Sequence, residues 1–280
     1  MQKIACLGPE GSFSHEFVVM NFPEHECVFA DDFEDVLLKS IAEGCEAAVI
    51  PFLNSSGVQV RPAQKAIAQY AGQLWVTGAF KHNVVHNLVA TENCRKIENI
   101  VSKEQVFPQC TTWLDDNYPN VNLTYSSSTS SALLELLASP ADIQETTAVI
   151  CNTFAVKLYG GVIRMANIQN PGNETIFLTL SPIRPAANER LLVTIECPDR
   201  DCYDSSVDRF ARRGCPMMFS SLVGEFSPTV PTFVEIKVTD GIDAEQIIKF
   251  ECDASNGVRH YVGTYQGNSS ISDCVSSFFR

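Results

Sequence analysis

An α/β fold in two parts is predicted by three features of the chain. Short apolar runs alternate with segments of helical periodicity from residue 3 to residue 180, the pattern of strands interleaved with helices. Residues 181–188, Ser-Pro-Ile-Arg-Pro-Ala-Ala-Asn, carry two prolines and no periodicity, and so mark a linker. Beyond them strand and helix patterns resume in the order βαββαβ, that of a small ferredoxin-like domain. A chain of 280 residues, 45% hydrophobic and 19% charged, has the length and apolar content for two cores, placed at 1–182 and 190–280.

The elements follow in order. Residues 3–7 form an apolar strand, 14–20 a helix opened by serines, 32–43 a second helix and 46–51 a buried strand, so the chain begins with βαβ logic. Further strands are expected at 74–80, 84–90, 99–102, 123–126, 148–151 and 175–180. Helices are expected at 61–71, 107–115, 129–138 and 152–158. Their interleaving implies a largely parallel sheet. After the linker the strands are 190–196, 217–224, 232–239 and 260–265, and the helices 203–213 and 244–251.

Charge and cysteine usage narrow the class. A net charge of −13 disfavours a general nucleic-acid or anionic-membrane binder, because both need basic surface to replace counterions. Residues 1–20 show no basic stretch followed by a long apolar core, and no apolar run nears the roughly 20 residues of a spanning helix. A cytoplasmic protein is expected. The 11 cysteines are odd in number, scattered through apolar contexts and never spaced Cys-x-x-Cys, so free thiols and no zinc site are expected.

The chemistry-bearing segments sit at the ends of expected strands, where open α/β sheets hold ligands. The loop Gly8-Pro9-Glu10-Gly11-Ser12-Phe13-Ser14 leads from a strand into a helix, and its N–H groups and hydroxyls could seat a carboxylate or phosphate. The other segments are 51–57, 102–110, 173–177 and the run Ser127-Ser128-Thr129, all rich in neutral hydrogen-bonding groups. They suit a polar organic acid better than a metal. Each also has an ordinary structural reading: Asn54-Ser55-Ser56-Gly57 as a turn, Ser128-Thr129 as a helix N-cap, Asn173-Glu174-Thr175 as a loop. His15 reads as a solvated residue at a helix start, and Val84-Val85 between His82 and His86 favours a strand over a metal-binding helix. Cys110 reads as a small buried hydrophobe.

Taken in chain order, the segments resemble the prephenate dehydratase family over residues 3–180. The resemblance rests on Gly8-Pro9-x-Gly11-Ser12-Phe13-Ser14, Asn54-Ser55, Ser102 with Gln109-Cys110 seven residues on, Ser128-Thr129, and Asn173-x-Thr175-x-Phe177. His86-Asn87-Leu88 and Tyr159-Gly160 are also similar to the family's. It implies two α/β lobes of the type II periplasmic-binding-protein kind with a cleft between them. A ferredoxin-like ACT regulatory domain would follow, with Val262-Gly263-Thr264-Tyr265 similar to its closing strand.

The implied reaction is the decarboxylative dehydration of prephenate, a cyclic dicarboxylate, to phenylpyruvate in phenylalanine biosynthesis. Thr175 would donate to the departing ring hydroxyl, while Asn54, Ser102 and Gln109 orient the substrate. Gly11, Ser12, Phe13, Ser14, Ser55, Ser128, Thr129, Asn173 and Phe177 would bind it. The resemblance further implies no metal or cofactor, an amino-acid effector at the ACT-like domain, and a homodimer or homotetramer.

Departures from the family's pattern leave alternatives open. Where the family writes Thr-Arg-Phe and Glu-Asn-Ser, this chain has Thr175-Ile176-Phe177 and Leu53-Asn54-Ser55; the glycine after Asn-Ser moves to Gly57, and His-Pro becomes Lys103-Glu104. Lys103 reads either as an exposed lysine or as a replacement for the missing cation. Asp201-Cys202-Tyr203 stands for Gly-Ala-Leu and Ser221-Leu222-Val223-Gly224 for Glu-Ser-Arg-Pro, which puts phenylalanine feedback in question. Two other activities therefore stand beside dehydration: decarboxylation that keeps the ring hydroxyl, and ligand sensing by a catalytically weak homologue. Prephenate and its amino counterpart, arogenate, are not distinguished.

Overall fold

The computed structural model describes residues 1–55, 60–222, 226–227, 231–252, 259–265 and 270–275. Gly57, Val223 and Gly224 lie outside the described residues. The chain opens with β1 (Lys3–Leu7), α1 (Phe13–Asn21), β2 (Glu26–Ala30), α2 (Phe33–Ala42), β3 (Ala47–Asn54), α3 (Arg61–Gln69) and β4 (Trp75–Asn83). It continues with β5 (Asn87–Ala90), β6 (Asn99–Ser102), a 3₁₀ turn (Glu104–Cys110), α4 (Thr111–Asn117), β7 (Asn122–Tyr125) and α5 (Thr129–Ala138). Next come α6 (Ala141–Thr146), β8 (Thr147–Cys151), α7 (Thr153–Tyr159), β9 (Val162–Met165) and β10 (Glu174–Ser181). The last part holds β11 (Arg190–Ile195), α8 (Arg200–Arg212), β12 (Met217–Ser220), β13 (Thr232–Lys237), α9 (Ala244–Ile247) with a π-turn (Ile248–Cys252), β14 (Arg259–Thr264) and α10 (Ile271–Val275). Among the described residues, no helix is long and apolar enough to cross a membrane.

Helix starts are fixed by short polar side chains that satisfy otherwise orphaned N–H groups. Ser12, Asp32, Ser128, Asn152 and Asp199 cap α1, α2, α5, α7 and α8, each accepting from the backbone N–H three residues on. Asp199 is the reason α8 begins at Arg200 rather than at residue 203. The expected helix at 107–115 starts instead as a 3₁₀ turn, because Pro108 lies inside it and has no N–H for an α-type ladder.

The residues gather into two compact units. The first contains Met1–Ala5, Asp32–His82 and Thr175–Arg280; the second contains Cys6–Asp31 and Asn83–Glu174. In the first unit the strands run β12-β13-β11-β14-β4-β10-β3-β1 as one sheet. The second holds a five-stranded sheet in the order β7-β6-β8-β5-β9. Both sheets are mixed rather than largely parallel. β3 pairs antiparallel with β10, β5 pairs antiparallel with β8 and β9, and β6 lies parallel to β7 and β8. Strands β2 and β9 and helices α6 and α10 lack a strong apolar period; β9 has Val162 partly buried and its other three residues exposed.

Strands β11 to β14 with α8 and α9 form the βαββαβ module, ordered β12-β13-β11-β14 with antiparallel neighbours. Its core contains Leu191, Val193, Ile195, Phe210, Val234 and Ile236, each at most 1% exposed. The module is continuous with β4. Gly263 of β14 lies so close to Val76 that a Cβ there would sit 2.1 Å from the Val76 carbonyl oxygen. Phe52 and Phe233 meet edge to face, centroids 5.2 Å apart, and Trp75 packs on the module core. Within β11–β13, buried Glu235 pairs with Arg190 at 3.0 Å, and Ser270 and Ser272 at α10 complete the network.

Candidate active site

Each unit holds one group of the expected site residues. In the first unit the β3–β10 register sets Thr175 opposite Asn54 and Ile176 opposite Leu53, with an irregularity before Phe177. The Asn54 amide Nδ2 donates to the Thr175 hydroxyl at 3.0 Å, and the two side chains are nearly enclosed. Because Thr175 Oγ1 accepts this bond, its own proton is left to donate elsewhere, and no described residue takes it. Phe177 is buried and meets His82 edge to face at 5.8 Å. Ser55 follows directly on β3.

Leu53 and Ile176, 7% and 0% exposed, form an apolar cross-strand pair. Side chains alternate along a strand, so this pair points to the sheet face opposite to Asn54 and Thr175. The two departures from the family's pattern therefore face each other across β3 and β10, on the sheet face away from Thr175.

In the second unit the opening loop turns its donors inward. Gly11, at φ +78°, gives its N–H to His15 Nδ1 at 3.0 Å, and the Ser12 N–H goes to the Pro9 carbonyl at 3.1 Å. A side chain at Gly11 would also meet the Tyr159 ring at 2.8 Å. Ser12 Oγ caps His15 N–H and donates to the Leu7 carbonyl, so its capacity is used. His15 is not solvated: it is buried edge-on between Phe29 and Phe154, at 4.9 Å from each ring, where its nitrogen closes the loop. Ser14 is buried on α1, and Phe13 meets the His86 ring at 5.2 Å.

Three expected site residues are structural in this geometry. Ser102 is fully buried and donates to the Ile150 carbonyl at 2.8 Å, holding β6 to β8, so it presents no surface to a substrate. Gln109 Oε1 accepts from Asn173 Nδ2 at 2.8 Å and from His86 Nε2 at 2.9 Å, while its Nε2 donates to the Gln105 carbonyl. Asn173 also donates to the Val84 carbonyl and binds Val84 N–H through its own carbonyl. This hub fixes the His86 tautomer, with the proton on Nε2 and an unpartnered lone pair on buried Nδ1. Burial pushes the His86 imidazole down to about 4, against a smaller upward pull from Gln109.

Thr129 and Ser128 open α5, where Ser128 Oγ accepts from Ser131 N–H at 2.9 Å and donates to Ser131 Oγ at 2.7 Å. A cavity of about 530 Å³ within this unit is lined by the Gly8–Glu10 stretch, Asp31, Lys103, Ser127, Ser128 and Ser131. Lys103 is half-buried there, not an exposed lysine. Asn152 was not among the expected site residues; its side chain caps α7 and holds the Gly11 carbonyl at 3.2 Å. Its signal was a polar residue placed directly after an apolar strand and before a helix, the ordinary pattern of a cap.

The strand order and the helices between the strands define a mixed α/β protein. The family model described as prephenate dehydratase matches residues 4–184, and the chain belongs to the prephenate dehydratase family. A prephenate dehydratase of Lactococcus lactis subsp. lactis is 30% identical over 204 residues, covering 70% of this chain and 71% of that one. A bifunctional chorismate mutase/prephenate dehydratase of Stutzerimonas stutzeri is 26% identical over 200 residues, and the chain spans 53% of its length. Among solved structures, a prephenate dehydratase from Arthrobacter aurescens in complex with L-Phe superposes with a TM-score of 0.78 at 21% identity. The match covers 97% of this chain and 91% of that one, and it shows a shared fold.

Proposed function

We propose that this chain is a lyase that converts prephenate to phenylpyruvate with loss of CO2 and water, in the formation of phenylalanine. Family membership supports the reaction, and the single observation that carries the mechanism is the Asn54–Thr175 hydrogen bond. Breaking the ring-carboxylate bond releases CO2, its electron pair aromatises the ring, and the ring C–O bond breaks. The departing oxygen leaves as hydroxide unless it is protonated. Thr175 supplies the hydrogen bond or proton at that oxygen, and Asn54 aims the hydroxyl by occupying its lone pair. Ser55 and Phe177 border this pair along β3 and β10.

In the second unit Ser128-Thr129 and the cavity that Ser128 lines hold a carboxylate of prephenate. Gly11, Ser12, Ser102, Gln109 and Asn173 act as a frame for those contacts, since their own hydrogen bonds are spent internally, while Phe13 and Ser14 open α1 beside them. Residues 1–182 form the two periplasmic-binding-protein-like lobes and 190–280 an ACT-like regulatory domain. Support for the latter is the βαββαβ module, and support for an amino-acid effector is the L-Phe bound to the Arthrobacter aurescens protein. The protein works in the cytoplasm without metal or cofactor, as a homodimer or homotetramer.

Incubating the purified protein with prephenate and following products by mass tests this reading. A product lighter by CO2 plus water is expected. Loss of CO2 alone would indicate decarboxylation with the ring hydroxyl kept, and unchanged prephenate would remove the enzymatic reading.

A further inference from the structure

The second unit carries a cation that its own structure does not satisfy. Lys103 follows β6 immediately and enters the 3₁₀ turn, where Val106 N–H binds its carbonyl at 2.9 Å. Its side chain is half-buried in the wall of the cavity and makes no ion pair or hydrogen bond with a described residue. Two carboxylates share the cavity lining, Glu10 and Asp31, both exposed. Glu10 faces the Tyr159 hydroxyl, which burial first and then this carboxylate push up. Neither acid forms an ion pair or hydrogen bond with Lys103, and burial pushes its ammonium down.

The hydroxyls beside it are set to donate. Ser131 Oγ accepts from Ser128 Oγ, so its own proton is directed away from Ser128. Ser127 is exposed and forms no hydrogen bond with a described residue. A half-buried ammonium without a partner is partly desolvated, and an anion that pairs with it offsets that cost. One cation and two hydroxyl donors match the lone pairs of one carboxylate. A phosphate dianion would ask for more donors than this lining offers.

We propose that Lys103 is a substrate-binding residue, seating one carboxylate of the cyclic dicarboxylate in this cavity with Ser127 and Ser131 beside it. The proposal rests on the reading of the chain as a prephenate dehydratase. Lys103 stands where the pattern the chain resembles has histidine, so the contact would depart from that pattern.

The test compares wild type, Lys103→Met and Lys103→Arg in prephenate turnover and thermal melting, and in calorimetric binding of prephenate. Lys103→Met should raise KM about 10- to 100-fold with kcat changed less than about threefold, and Lys103→Arg should restore most of the loss. Lys103→Met should also melt no lower than wild type, because it removes an unpaired, partly desolvated charge; a structural lysine would not behave so. An unchanged KM in Lys103→Met, or a weakened KM tied to a lower melting temperature, overturns the proposal. If wild type fails to turn prephenate over, the dehydratase reading falls separately, and calorimetry still decides. Weaker prephenate binding by Lys103→Met upholds the site; equal binding, or none by either protein, overturns it.

Discussion

The two units hold their polar groups in opposite ways. The first presents a single pair, Asn54 and Thr175, on adjacent strands of a sheet, with one proton left over. The second spreads its groups over a loop, a 3₁₀ turn and helix starts, and most of them are spent on one another. Strands hold a group to a fraction of an ångström, which suits the atom that must meet a leaving group. Loops and helix ends, with their donors tied to one another, hold the shape of a cavity in which a few remaining groups can meet a charged substrate. On the proposed reading, a small number of rigid atoms would carry the chemistry and a larger set would frame the substrate.

The strongest way to break this contrast is Thr175→Val, which keeps the shape and removes the hydroxyl. It should lower kcat about 100-fold or more while changing KM less than about threefold; equal losses in both would place Thr175 among the binding groups instead. Steady-state kinetics with prephenate decides.

The next tests the Leu53 and Ile176 pair on the other face of the same strands. Ile176→Arg alone buries an unpaired cation and should cost about 3–5 kcal/mol in urea unfolding. Adding Leu53→Glu should recover at least about 1 kcal/mol, the sign of direct contact in a double-mutant cycle. A purely additive cycle would show that the two departures are independent.

The smallest effect sharpens the second unit. His86 titrates near 6.5 in an unfolded chain and at about 4 in the fold, because burial disfavours the imidazolium. Between those values the unfolded state binds the extra proton. The stability from neutral His86 is therefore full above pH 6.5 and is lost as the pH falls towards 4, at ~1.4 kcal/mol per pH unit. Urea unfolding at stepped pH should show this slope in wild type and a shallower one in His86→Asn.

Much of this architecture is legible in the sequence where apolar period and cap agree. Residues 129–138 form a helix within the expected bounds because Ser128 caps it and Ala132, Leu133 and Leu136 give it a buried stripe. β9 and α6 could not be read, since exposed Arg164 and Met165 or the polar Gln144-Glu145 break any period. The sheet direction was misjudged for a different reason. Interleaved helices suggest parallel strands, yet β10 returns from the second unit to pair antiparallel with β3, a long-range pairing that no local pattern records.

At the site, the motif Asn173-x-Thr175-x-Phe177 and Asn54 pointed to the pair that faces the chemistry. What the sequence could not separate was a donor facing a ligand from one spent indoors. Ser102 and Gln109 sit in the motif as plainly as Thr175, and only their partners, the Ile150 carbonyl and His86, reveal the difference. His15 was misjudged likewise: a helix start is usually wet, and Phe29 and Phe154 keep this one dry.

Gly263 gives the module a meaning that chain order conceals. A covalent cut between residues 182 and 190 looks harmless in the sequence, but it would strip β14 from β4. Val76 would be left on an open sheet edge, with Trp75 and Phe52 uncovered beside it. A shortened chain would therefore be sticky rather than merely unregulated. The carboxy-terminal part is shelter for the strands that carry Thr175 and Asn54, whatever else it senses.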